Sequence, residues 1–422
     1  MHTNCGCTRR QMMRSLAAGS LLLPGIISQL LADERIGNEI NPLAPKIPHF
    51  PGKAKRVIFL YMTGGVSHVD SFDPKPRLFE EGRKNFKGKT YLAPLWEFQR
   101  GGKCGTEVSD LFPHIRQCMD DICLIRSMRG DHIDHFQATL GIHTGSVTVA
   151  RPSVGSWVSY GLGTVNQNLP SFVVLAPDLP YAGSQVWSPD FLPGCHQGTH
   201  VSPGEEPIAN LKRRSPSAKI QEMELNLLDR FNRKHLQKRP GDPALAARIK
   251  SYETAFGMQR EMPGVLDLSK ETDATLELYG LERGSTKGFA WQCLVARRMA
   301  ERGVRFIELI DVGSHDNWDA HADMKSHEPL AKNVDKPIAG LLKDLKSRGM
   351  LDDTLVVWTT EFGRTPTGEG GKGRSHHNQA FSSWLAGGGV KGGMVYGKTD
   401  EFGGQIFENP VHVHDFHATI LH

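Results

Sequence analysis

Apolar residues in this chain gather into short compact runs, each closed by glycines or by a polar segment. RVIFLYM (56–62), ICLIRSM (122–128), FVVLA (172–176), VRFIELI (304–310), TLVVWTT (354–360) and FSSWLA (381–386) have the length and composition of buried strands. Two segments among the later runs follow the helical period instead. TKGFAWQCLVARRMAERG (286–303) ends at a glycine suited to close a helix. LAKNVDKPIAGLLKDLKSRG (330–349) spaces Leu330, Val334, Leu341, Leu342 and Leu345 along a helical face. Strands alternating with such helices predict an α/β fold whose mainly parallel sheet is covered on both sides. Residues 205–280 break the pattern: they are charged, rich in helix signals and poor in strand signals, and predict a helical insertion or lid. HDFHATILH (414–422) predicts a last helix capped by Asp415, and its stop after about two turns without a C-cap predicts a sequence that continues further.

The first 32 residues read differently. Arg9 and Arg10 precede an apolar stretch and then small residues near Ala32, the order of a bacterial signal peptide of the twin-arginine type. Pro24 and Gly25 interrupt that stretch, so no stable membrane span is expected there, and no later segment is apolar enough for one. Residues 33–55 read as a linker to one large domain at 56–422. Without the signal, Cys104, Cys118, Cys123, Cys195 and Cys293 remain: an odd number with no C-x-x-C pair, leaving room for one or two disulfides but no framework. A net charge of +4 over 422 residues, with no long basic block, argues against nucleic acid as the main partner.

Candidate chemistry sits where the strand runs end. In an open α/β sheet, ligands bind at the carboxyl ends of the strands. His68, Asp70 and Asp73 follow the first run; Asp131, His132, Asp134 and His135 follow the second. VRFIELI opens into GSHDNWDAHADMKSH, with His315, Asp316, Asp319 and His321; TLVVWTT opens into Glu361 and Arg364; GRSHHNQ then supplies Arg374, His376 and His377. One His–Asp pair on a loop is ordinary hydrogen bonding. Several such clusters at strand ends predict a metal site, because imidazole with carboxylate is what divalent ions such as Zn²⁺ or Mn²⁺ select, with Ca²⁺ a further candidate. Trp318 is expected to pack beneath its loop. GGMVYGKT (392–399) fits the phosphate-loop pattern but lacks the strand before it and the helix after it, so no nucleotide site is expected. There is no G-x-S-x-G and no H-E-x-x-H.

RRQMMRS, TGGVSHVDSFDPKP, RPSVGSWVSYGLG, DNWDAH, TTEFGRTP, GRSHHNQAF and AGGGVKGG, in this order over nearly the whole chain, resemble the family known as domain of unknown function 1501. That family is placed by similarity within the alkaline phosphatase and sulfatase superfamily. The resemblance implies an alkaline-phosphatase-like three-layer α/β/α sandwich with metals at the carboxyl edge of its sheet. It implies metal ligands among Asp70, Asp316, Asp319, His321, Glu361, His376 and His377. Two departures matter: Phe362 stands where the superfamily has a histidine, and no cysteine is followed by the x-P-x-R of formylglycine sulfatases, Cys123 with Leu-Ile-Arg being a near miss. The nucleophile stays open among Ser67, Ser127 and Thr144. Arg364 and Arg374 are the candidates for holding an anionic group, with salt bridges at the sheet edge as the other reading. The function expected is an exported metal-dependent hydrolase of phosphate or sulfate esters, small or polysaccharide, that uses the twin-arginine export machinery. The rival is a non-catalytic exported binding or scaffold protein on the same fold.

Overall fold

The computed structural model describes residues 41–82, 85–86, 89–204, 206–239 and 241–422. The expected signal peptide, with Arg9, Arg10, Cys5 and Cys7, lies outside the described residues. All six apolar runs form strands of one sheet: β1 (Arg56–Tyr61), β2 (Ile122–Arg129), β3 (Phe172–Leu175), then, after β4 (Thr199–Val201), β5 (Phe306–Ile310) and β6 (Thr354–Thr359). A hairpin of β7 (Gly363–Glu369) and β8 (Gly373–His377) leads into β9 (Phe381–Ala386), followed by β10 (Met394–Tyr396) and β11 (Val411–His412). The nine-stranded sheet runs β10-β2-β9-β6-β1-β5-β3-β4, with β11 added beside β2. Every pairing in it is parallel except those of β9, which runs antiparallel to both β6 and β2.

Strand alternation divides the core between two faces, because successive side chains point to opposite sides of a sheet. Ile58, Leu60, Ile307, Leu309, Val356 and Trp358 share one cluster with two helices, α6 and α7 below; Val57, Phe59, Phe306, Val357 and Phe381 share the other. Besides two short helices at His68–Ser71 and Pro76–Glu81, the described α-helices are α1 (His135–Thr144), α2 (Val154–Leu162), α3 (Ala218–Lys238), α4 (Pro243–Leu266), α5 (Asp273–Tyr279), α6 (Phe289–Glu301), α7 (His327–Ser347) and α8 (Val413–Leu421). α1, α2 and α8 cover the second face through Leu140, Val158 and Phe416. Layers of helix, sheet and helix result. No described helix is long and apolar enough to cross a membrane.

Three local expectations change. Part of the stretch read as a linker is docked: Leu43 is buried, its carbonyl accepts from Thr164 N–H at 2.9 Å, and Lys46 N–H donates to Leu162 at 3.1 Å. Asn41 Nδ2–H to Gln167 and Lys46 Nζ–H to the Tyr160 carbonyl, both 2.8 Å, add to the anchor. The cap of α8 is His412 rather than Asp415. His412 Nδ1 accepts from His414 N–H, while Asp415 Oδ2 accepts from His412 N–H at 2.9 Å, the reciprocal arrangement of a capping box. The five described cysteines are all free.

Burial holds five described histidines below their ordinary pKa, and His196 and His327 are pushed furthest. Burial pushes His196 down to about 3, helped by the charge of Lys46; burial likewise pushes His327 to about 3. Unfolded histidine titrates near 6.5, so the unfolded chain binds more protons than the native one from there downward. Stability from these two groups is therefore intact above pH ~6.5 and falls below it by about 1.4 kcal/mol per histidine per pH unit. Denaturant midpoints taken at pH 7, 6 and 5 are expected to drop stepwise.

Candidate metal centre

β1, β2, β5 and β6 all point their carboxyl ends to the same edge, with Tyr61 level with Ile310 on one side and Thr359 on the other. The loop after β1 starts with two glycines of positive φ, Gly64 at 113° and Gly65 at 84°. A Cβ on Gly64 would come within 2.6 Å of the Asn317 side chain, and one on Gly65 within 2.6 Å of the Phe362 ring. Only glycine lets this loop pass between the loops after β5 and β6. The loop after β5 is pinned from below. Asp311 accepts from Thr63 N–H, Val312 N–H and Trp318 Nε1–H, and Trp318 is wholly buried beneath the loop. On its far side the loop lies on the hairpin: Arg374 N–H donates to Ala320 at 3.0 Å, and a Cβ on Gly373 would sit 1.7 Å from the His321 carbonyl oxygen.

These supports bring three imidazoles and one carboxylate together. His135 is the first residue of α1, His376 projects from β8, and Asp319 and His321 come from the loop after β5. Asp319 carboxylate oxygens lie 3.3 Å from His135 Nε2, 3.0 Å from His321 Nε2 and 3.3 Å from His376 Nε2. His321 Nε2 and His376 Nε2 are themselves 2.8 Å apart. The ligand atoms of His135, Asp319 and His376 all fall within 4.8 Å of one another.

The far side of each ring is held by an acceptor. His135 Nδ1–H donates to Glu361 at 2.8 Å, His376 Nδ1–H to the Ile133 carbonyl at 2.6 Å, and His321 Nδ1–H to Glu369 at 2.6 Å. With Nδ1 turned to an outer acceptor, each ring presents its Nε2 to the carboxylate between them. His135 Nε2 is buried without any hydrogen-bond partner. Nε2 atoms this close to one another and to a carboxylate need a proton or a cation between them, and outer acceptors on ligating histidines are a general feature of metal sites. The residues present fit a divalent ion.

The same groups are strongly coupled by charge. Burial pulls the His135 pKa down, but hydrogen bonds and charge from Asp319 and Glu361 outweigh it, so the net shift is upward. Burial raises Asp319, yet His135, His376 and the Arg364 guanidinium hold it well below the usual carboxylate range. Glu361 is wholly buried; His135 outweighs its burial and keeps it ionised. It is an orienting group with its oxygens already occupied, accepting from Gly64 N–H (2.8 Å), Tyr61 Oη–H (2.9 Å) and Thr360 as well as from His135.

Of the residues expected from sequence, Asp319, His321 and His376 line the centre and Glu361 stands directly behind it. His135 was flagged within its cluster but not selected as a ligand. Its loop offered His132 as an equal, and only the start of α1 decides between them. Asp316 is exposed, at positive φ, and takes no part. His377 follows His376 along β8 and therefore faces away, stacked on His68. Asp70 is committed elsewhere, to Arg374 Nε at 2.7 Å and to Ser67 Oγ.

The two arginines are taken up by hydrogen bonds within the fold. Both are fully buried. Arg374 spends all its N–H groups on Asp70 and on the carbonyls of Thr365, Pro366 and Leu92. Arg364 ties the carbonyls of Gly64, Gly65 and Arg374 to Asp319. The hydroxyls considered as nucleophiles are likewise committed, Ser67 to Asp70, Ser127 to the Asn409 carbonyl and Thr144 to the Leu140 carbonyl.

A second group, Asp131, His412 and His414, also has metal-type spacing. Hydrogen bonds account for it: His412 caps α8 and bonds Asp131 at 2.8 Å, and His414 Nε2–H donates to Gly145.

Fold and site together define an α/β protein with a His-rich candidate metal centre at the carboxyl edge of a mainly parallel sheet. The chain belongs to the family described as Protein of unknown function (DUF1501), which it matches over residues 54–422. A search of curated proteins returned no match. Among solved structures it is similar to the PsFucS1 sulfatase from Pseudoalteromonas sp. (12% identity, 91% of this chain and 70% of that one, TM-score 0.33). It is also similar to the alkaline phosphatase of the Antarctic bacterium TAB5 (12%, 85% and 96%, TM-score 0.34). A third is the phosphonate monoester hydrolase SpPMH from Silicibacter pomeroyi (12%, 87% and 72%, TM-score 0.33).

Proposed function

We propose that this protein is an exported metal-dependent hydrolase of phosphate or sulfate esters. The observation that carries the reading is the convergence of His135, His321 and His376 on Asp319, each ring held by an acceptor on its far side. Those four residues would hold the ion. When bound, it supplies positive charge that polarises an ester oxygen and favours ionisation of water. Glu361 orients His135, Arg364 holds Asp319 in place, and the Phe362 ring, 4.5 Å from His376, walls the centre with carbon where a further imidazole was expected. Tyr181 stacks on His135 at 4.0 Å and keeps that ring edge-on to the centre. Ser67, Ser127 and Thr144 are all buried, which favours water as the nucleophile over a covalent intermediate on those side chains. The export part of the reading rests on Arg9 and Arg10 ahead of the apolar stretch, and cell fractionation tests it.

The test measures metal content and hydrolysis side by side. Purified protein is expected to retain a divalent ion and to cleave aryl phosphates or aryl sulfates, and His376→Ala to lose at least about 100-fold in both metal affinity and turnover, more than the loss of an outer acceptor costs. Bound metal without turnover on a broad ester panel would leave the binding or scaffold reading, and protein without metal would remove the centre.

A further inference from the structure

The helix α3 has no buried residue along its 21 positions, whereas α4 after it sends Met258, Met262 and Val265 into the core. Leu225 and Leu236 are half-buried, but five large apolar side chains face outward: Ile220 is 42% exposed, Met223 64%, Leu227 55%, Leu228 54% and Phe231 61%. At about 100° per residue, Ile220, Met223, Leu227 and Phe231 form one continuous stripe. The side toward α4 is joined through a polar contact, Gln221 Nε2–H to Gln259 at 2.8 Å. That inverts the ordinary surface helix, which hides its apolar stripe.

Charge identifies the occupant. Residues 212–239 carry nine Lys and Arg against three Asp and Glu, a larger positive excess than the +4 of the whole chain. All nine basic residues are exposed. Lys219 and Arg230 fall along one border of the stripe by the same helical spacing, and Lys234 lies within it near the end of the helix. Two copies packed stripe to stripe would bring these like charges together, and a nucleic acid offers nothing to an aliphatic stripe. An apolar stripe bordered by Lys and Arg is the signature of a helix lying in a lipid interface.

We propose that α3 docks the protein on an anionic lipid surface. Ile220, Met223, Leu227 and Phe231 enter the acyl boundary, and Lys219, Arg230 and Lys234 meet the headgroups. The helix lies on the membrane and does not span it.

Co-sedimentation of the full chain with vesicles tests this. Vesicles of phosphatidylglycerol and phosphatidylcholine in equal parts are expected to bind at least about tenfold better than phosphatidylcholine alone, with the difference shrinking in high salt. Leu227→Ser with Phe231→Ser, and separately Lys219→Gln with Arg230→Gln and Lys234→Gln, should each weaken binding at least about tenfold. Circular dichroism and ester hydrolysis should stay unchanged, because these side chains are exposed and outside the metal centre. Phe231→Ser alone serves if the double variant loses helicity. Absence of vesicle binding would overturn the proposal, as would equal binding by wild type and both variants. So would light scattering that shows a wild-type dimer dissolved by the serine variant with vesicle binding intact, which would assign the stripe to a second copy.

Discussion

Asp319→Ala is expected to empty the metal centre and to lower ester hydrolysis by at least about a hundredfold, since the ion's charge stabilisation of the transition state amounts to several kcal/mol. Asp319 is the carboxylate on which three imidazole nitrogens converge, and it also pairs with Arg364 Nη2 at 2.6 Å. Removing it leaves the lone pairs of His135, His321 and His376 without an anionic ligand among them. It also strands the fully buried Arg364 guanidinium, a loss of about 3–5 kcal/mol when a buried pair is broken from one side. Asp319→Asn separates the two effects. The amide oxygen still accepts from Arg364, so most of the stability should return while metal stays weakly held. Metal analysis, turnover and denaturant midpoints on both variants read these outcomes. Wild-type metal content in Asp319→Ala would move the centre elsewhere.

Arg374→Met should destabilise the fold by a similar ~3–5 kcal/mol without touching the ligands. Arg374 and Asp70 are both wholly inaccessible, so the substitution leaves Asp70 charged and buried with Ser67 Oγ as its remaining side-chain partner. It also releases the carbonyls of Thr365, Pro366 and Leu92, which hold the β7–β8 hairpin that carries His376. Adding Asp70→Asn to Arg374→Met should recover part of the loss, because the uncompensated charge goes. Such recovery is the non-additivity that residues in contact show in a double-mutant cycle. Denaturant midpoints of the two single variants and the double variant measure it, and simple additivity would mean the pair is not coupled. These variants also tell bracing from anion binding: a brace changes midpoints, whereas an anion-binding arginine changes the Michaelis constant at constant stability.

The layered α/β fold could be read from the chain because burial is written locally. RVIFLYM and TLVVWTT are apolar almost throughout, as strands covered on both faces must be, and they became β1 and β6 nearly residue for residue. The strand ends therefore also marked where polar clusters would gather, and Asp319, His321, His376 and Glu361 came from those clusters. Within a cluster the sequence stops deciding. His132 and His135 are chemically equal, and the first turn of α1 chooses His135. His376 and His377 are adjacent, and the pleat of β8 turns one toward Asp319 and the other toward His68. GRTPTGE and GRSHH carry no apolar alternation, so nothing local announced the hairpin that they form. Asp70 has the chemistry of a ligand, but Arg374, 304 residues away, claims it. Hydrophobic pattern is a property of neighbouring residues, and it determined the six main strands, the helices between the later ones and the edge that carries the site. Which lone pairs meet depends on strand register and on ion pairs between distant segments, and only the tertiary structure decided that.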